Sequence, residues 1–261
     1  MKIRTLSLVS SLFALLFAPI AAVADMHDED DGDEIEFDEA HVFFELNNTD
    51  GDLGIHALID GEPWKRLRIE DQQERRILDI TLRDRLRRQG LTELFFESAE
   101  PSFDELSPEE FFERFPAGTY EIEGVTLEGD ELESETEITH AMPAPPEPKV
   151  NGMDFDEDCE EGDPVAVSAP VVIAWDPVDS THPDLGSPRS GAITVLNYEV
   201  VVEVEIDDDF ASVLSVTLPP AVTSMTIPAE FIAQGDEFKY EVLAREESFN
   251  QTATESCFVL E

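Results

Sequence analysis

An all-β fold is predicted for this chain of 261 residues, and three observations predict it. Short runs alternate apolar and polar residues, clusters of Gly, Asp, Asn and Pro separate them, and long helical periodicity is rare. The clearest run is Phe238 to Ala244, where Phe238, Tyr240, Val242 and Ala244 alternate with Lys239, Glu241, Leu243 and Arg245. A period of two is the mark of a half-buried strand. The length accommodates two domains. The expected layout is an antiparallel, sandwich-like β domain over 40–140 with one short helix, a Pro-rich linker over 141–150, and a second β-sandwich over 151–261.

Residues 1–24 read as a signal peptide. Lys2 and Arg4 give a basic start, Leu6 to Ile20 is largely apolar, and Ala22-Val-Ala24 offers a small-residue cleavage site. No later run is long and apolar enough to span a bilayer. The expected location is secreted or periplasmic, after cleavage near Ala24. Residues 25–39 carry many acids and few apolar groups, so a flexible acidic leader is expected, with order starting near Ala40.

In the first domain, His41–Leu46, Gly54–Ile59 and Trp64–Ile69 read as strands, with turns at Asn47–Asp52 and Asp60–Pro63. Alternation places Trp64, Arg66 and Arg68 on one face. Ile77–Arg83 suits either a strand or a helix face and is assigned to a strand because its neighbours are strands. An irregular basic turn and a strand over Leu91–Glu97 follow. Ser107-Pro-Glu-Glu110 starts the helix: Ser107 can cap, Pro108 suits the first turn, and the glutamates suit its positive end. Pro116 and Gly118 stop it. Tyr120–Leu127 and Leu132–Met142 then pair across Glu128-Gly-Asp130. Four prolines between Ala141 and Lys149 predict an extended, semi-rigid spacer.

The second domain supplies seven strand-like runs: Val165–Ser168, Val171–Trp175, Tyr198–Ile206, Phe210–Leu218, Thr223–Ile227, Phe238–Arg245 and Gln251–Val259. Seven strands in about a hundred residues are the signature of a sandwich. Trp175-Asp-Pro177, together with Ile232-Ala-Gln-Gly235-Asp-Glu-Phe238 and Val242-Leu-Ala244, resembles the fibronectin type III pattern over roughly 160–260. The resemblance implies a scaffold for binding. Phe238 stands where the family has a corner Tyr, the paired cysteines are unusual for it, and its cell-attachment tripeptide is absent.

The formal net charge of -45 makes nucleic acid and anionic membranes poor partners. It is compatible with cation binding, with attraction to basic partners, or with solubility alone. Cys159 and Cys257 are the only cysteines, and an even count in an exported protein reads as one disulfide.

Asn48, Asp50 and Asp52 invite a calcium reading, yet neither frame of an EF-hand loop fits them. They suit a hairpin turn, or a calcium site shared with another loop. His27, His41, His56, His140 and His182 are scattered, and no metalloprotease, nucleophile-elbow or phosphate-loop motif occurs. His56 is expected on a strand surface and Trp64 in the core. Were both exposed, they could form a ligand platform. The functional expectation is a non-enzymatic binding protein without a cofactor, whose partner is an extracellular or envelope protein or a glycan. A calcium-dependent structural or adhesive protein is the alternative, and a secreted hydrolase with an unrecognised carboxylate pair is the third reading. The Asp176–Ala192 loop is the candidate recognition element, with a disordered insertion as its alternative.

Overall fold

The computed structural model describes residues 34–154, 159, 164–207 and 210–261. Residues 1–33, which include the expected signal peptide and most of the leader, lie outside the described residues.

The first half contains β1 (Glu39–Asn47), β2 (Asp52–Glu70), β3 (Arg76–Thr81), α1 (Asp84–Gln89), β4 (Leu91–Glu97), α2 (Pro108–Arg114), β5 (Gly118–Thr126) and β6 (Glu131–Ile138). The second contains β7 (Lys149–Val150), β8 (Met153–Asp154), β9 (Val165–Val167), β10 (Val172–Ala174), β11 (Val195–Asp207), β12 (Phe210–Leu218), β13 (Ser224–Thr226), α3 (Ala229–Ile232), β14 (Glu237–Glu246) and β15 (Gln251–Leu260). The fold is all-β.

Where two strands and a turn are expected, β2 runs unbroken for 19 residues. Asp60–Pro63 is not a turn. It is an irregularity at which β2 changes partners, from β1 and β4 to β3 and β5. Gly61 permits this, since a β-carbon there would lie 3.1 Å from the Phe37 ring. The register shift between Trp64 and Arg66 also turns Trp64 inward beside Leu67 and Ile69, away from the arginines. Trp64 is a core residue. The expected basic turn includes the short helix α1. Helix α2 starts as its sequence indicates, with the Glu110 amide donating to Ser107 Oγ at 3.3 Å.

Two apolar cores form. One gathers Phe44, Trp64, Leu67, Ile69, Tyr120 and Ile122, and the other Trp175, Tyr198, Val200, Val202, Val242 and Phe258. The second half is a two-sheet sandwich, the architecture that the resemblance implies. Its sheets run β12-β11-β14-β15 and β13-β10-β7-β8. Phe238 stacks on Phe258 with centroids 4.9 Å apart, so an apolar contact occupies the corner position.

The two halves share one sheet. β1 pairs in parallel with β15, Glu45 opposite Gln251 and Asn47 opposite Ala253. The sheet therefore continues from β12 through β15 and β1 to β6, with β3, β4 and β9 branching from it.

The Pro-rich segment is docked along this junction and is not a free spacer. Met142, Pro143, Pro146 and Pro148 are buried. Thr252 Oγ1 donates to the Pro143 carbonyl at 2.8 Å, and Thr254 Oγ1 to that of Pro146 at 2.7 Å. The Asp176–Ala192 loop is docked as well. The His182 amide donates to the Met142 carbonyl at 2.7 Å, Leu185 packs on the first core, and Thr181 and His182 are buried. Removing Ser180–Gly191 would open buried contacts between the halves, so the loop is structural here. Order also begins before Ala40, because Ile35 bridges to Leu132 and Phe37 enters the first core.

Candidate functional site

Successive side chains of a strand point to opposite faces. On β1, Val42, Phe44 and Leu46 face the first core, which leaves Phe43, Glu45 and Asn47 on the other side. The pairings carry that second face across the junction. Glu45 lies opposite Gln251, Gln251 opposite Arg245, and Glu241 opposite Glu255, while His56 lies opposite Phe43 on one side and Glu97 on the other. Leu243, Ala253 and Val201 form a small apolar patch in its midst. An acid-rich face thus runs across the seam between the halves.

His56 is 1 % exposed and sits between two carboxylates. Its Nε2 lies 3.1 Å from Glu100 Oε1 and its Nδ1 3.8 Å from Glu45 Oε2. Gly54 makes room for Glu100, since any β-carbon at residue 54 would collide with that side chain. Burial lowers the His56 pKa, but the hydrogen bond its ring donates to Glu100 and the charges of Glu45, Glu100 and Glu97 outweigh it, and the net shift is upward. The imidazolium form satisfies both carboxylates at once. A buried histidine between two acids therefore replaces the expected surface histidine, and no exposed His56–Trp64 platform exists.

Carboxylates outnumber cations around this triad. Burial, reinforced by Glu100, Asp50, Glu255 and Glu45, pushes Asp52 up to about 7. Burial and Asp50 push Glu255 to about 7 as well, against a 2.7 Å hydrogen bond from Asn47 Nδ2. Glu241 is raised well above the ordinary carboxylate range, by burial and then by Glu45, Glu255, Glu199 and Glu100. Asp52 Oδ1 is buried and has no hydrogen-bond partner among the described residues.

The candidate calcium residues divide. Asn48 turns to His182, Oδ1 lying 3.1 Å from Nε2. Asp50 is exposed and contacts Asn47 Nδ2 at 3.4 Å. Asp52 alone points into the acid-rich face. Much of the turn fastens β1 to β15 instead: the Asn48 amide donates to the Ala253 carbonyl, and Thr49 Oγ1 accepts from the Glu255 amide at 2.9 Å.

Glu45, His56 and Glu100 hold donor atoms within 4.8 Å of one another. Ligands about 2.1 Å from a single ion would sit roughly 3–3.5 Å apart, so the trio would close slightly around a metal. The two ring nitrogens face different carboxylates, so only one could ligate. The workable assignment pairs Nε2 and Glu100 as ligands, with Nδ1 facing Glu45 at 3.8 Å. Periodicity could not have found this set, because its members come from β1, β2 and the segment after β4.

Cys159 and Cys257 form a disulfide, with α-carbons 5.7 Å apart. Among the described residues, no helix is long and apolar enough to cross a membrane.

No family model matches the chain, and no curated protein matches it. Solved structures give low-scoring similarity. The chicken CNTN1 FN1-FN3 domains match with a TM-score of 0.32 at 10 % identity, over 87 % of this chain and 65 % of theirs. A structure of a 1.5-MDa bacterial ice-binding adhesin matches with a TM-score of 0.23 at 8 % identity, over 88 % and 66 %. A tetra-tandem repeat from the extending region of a large adhesion protein matches with a TM-score of 0.26 at 11 % identity, over 85 % and 50 %. The chain spans half to two thirds of these structures. At such scores the likeness carries nothing about activity or partners.

Proposed function

We propose that this chain is an exported, non-enzymatic interaction protein of fibronectin type III character in its second half, and that a divalent cation locks its two halves at the acidic seam. One observation supports this reading above others. Carboxylates from both halves, Glu45, Asp52 and Glu100 from the first and Glu255 from the second, influence one another around a buried Asp52 oxygen that has no partner. A cation there would replace the protons that burial and mutual repulsion otherwise hold on Asp52 and Glu255. Carboxylate oxygens alone suit calcium, whereas recruitment of His56 would favour a transition ion such as Mn²⁺ or Zn²⁺.

The test is calorimetric titration of chelator-treated protein with CaCl₂, MnCl₂ and ZnCl₂. The expected result is one site for at least one ion, with proton release that varies with buffer, a raised melting temperature, and loss of binding in Asp52→Asn. Absence of saturable heat and of any melting shift with all three ions would defeat the proposal.

A further inference from the structure

We infer that β12 is a self-association edge, through which two copies of this chain pair antiparallel about Leu214. The shared sheet ends in two unlike strands. At one end β6 presents Glu131, Glu133, Glu135 and Glu137 within eight residues. Charge on an end strand discourages pairing with another chain. At the other end β12 reads FASVLSVTL, nine residues without a charge or a proline, in a chain that is 30 % charged. Among the described residues its only strand partner is β11. Phe210 is 59 % and Val213 43 % exposed. Leu214 and Leu218 reach the second core but remain half-buried, which leaves the flank of that core open at this edge.

A second copy fits this edge by charge. Antiparallel pairing centred on Leu214 sets Phe210 against Leu218, Ala211 against Thr217, Ser212 against Val216, and Val213 against Ser215. No like charges meet, and all nine residues are used. The pairing also conserves faces: Ser212, Leu214, Val216 and Leu218 of both copies lie on the core side, so each copy closes the other's open flank. Pro219 and Pro220, directly after β12, end the ladder. The contact is isologous and closes at two copies.

Sedimentation equilibrium of the purified chain should show mass rising with concentration from one copy to two and stopping there. Phe210→Lys combined with Val213→Lys should weaken the association at least about tenfold, while circular dichroism and melting remain those of the parent chain. Independently, Leu214→Cys should give a covalent dimer on mild oxidation, because its two copies face each other across the two-fold, and Val222→Cys should not. A mass of one copy at every concentration would overturn the inference, including the case where β12 serves a strand from a different protein. Open-ended oligomers, an unchanged dimer in the folded double variant, or equal cross-linking of both cysteine variants would overturn it too.

Discussion

The Gln251 side chain joins the two halves: its amide donates to the Glu45 carboxylate across the β1–β15 pairing, and its carbonyl oxygen accepts from Arg245 Nε at 2.8 Å. Gln251 is buried, so neither of its polar ends has ready access to water. Gln251→Leu would remove a donor from the Glu45 carboxylate and the acceptor of two guanidinium bonds, from Arg245 Nε and Nη2. A loss of about 2–3 kcal/mol is expected in urea unfolding, since hydrogen bonds to charged groups exceed neutral ones. A loss below about 0.5 kcal/mol would show that the link is incidental.

Stability should fall as pH rises from 5 to 8. Asp52 and Glu255 have folded pKa values near 7, raised from 3.8 and 4.5, so both hold their protons more tightly when folded. Their cost is absent below their unfolded values and complete above about 7. His56 is raised too, so its contribution is complete below 6.5 and is lost as pH climbs through its folded value. All three act in one direction. After discounting for solvent screening, about 1–2 kcal/mol should disappear over this range. Melting temperatures that rise with pH, in metal-free buffer, would contradict the assignment.

Asp52→Asn should raise stability at pH 8 in the absence of metal, by about 1 kcal/mol, because it removes a carboxylate that burial penalises. The same change should abolish the stabilisation that the proposed cation confers. Differential scanning calorimetry with and without the ion separates the two effects.

Thr252→Val and Thr254→Val test the docking of the Pro-rich segment. Each removes a buried hydroxyl that donates to a proline carbonyl, and each should cost about 1–2 kcal/mol. The informative measurement is limited proteolysis within 141–149. Faster cleavage there in the double variant is expected, and unchanged protection would mean that apolar burial alone holds the segment.

Reduction of Cys159–Cys257 should destabilise the chain by about 4–5 kcal/mol on the loop-entropy model, given a sequence separation of 98. Chemical denaturation with and without reductant measures this directly.

Much of the strand framework was legible because alternation reports which face of a strand is wet, and β12, β14 and α2 lie very near where their residues place them. Junctions were not legible. Asp60–Pro63 has turn chemistry, yet it sits where a long strand exchanges partners, which depends on neighbours far away in sequence. Trp64 lies in the core as expected, but strict alternation groups it with Arg66 and Arg68, because one register shift reverses the side on which every earlier residue lies. His56 departs from expectation for a related reason. Its face looks polar in sequence but is covered by Glu100, which is 44 residues distant. The disulfide could be read from compartment and count alone, whereas the acidic seam needed the β1–β15 pairing, for which no local signal exists.

The β1–β15 pairing has a kinetic consequence. Glu45 and its partner Gln251 are separated by 206 residues, and the strand that covers β1 is synthesised long after β1 itself. Until β15 arrives, the first half must present a bare strand edge bearing Phe43 and His41. Contacts of such long range form late and slowly, which makes an uncovered edge a hazard for aggregation. A dense negative charge is well suited to that interval, because mutual repulsion keeps unfinished copies apart without requiring any contact in the finished fold.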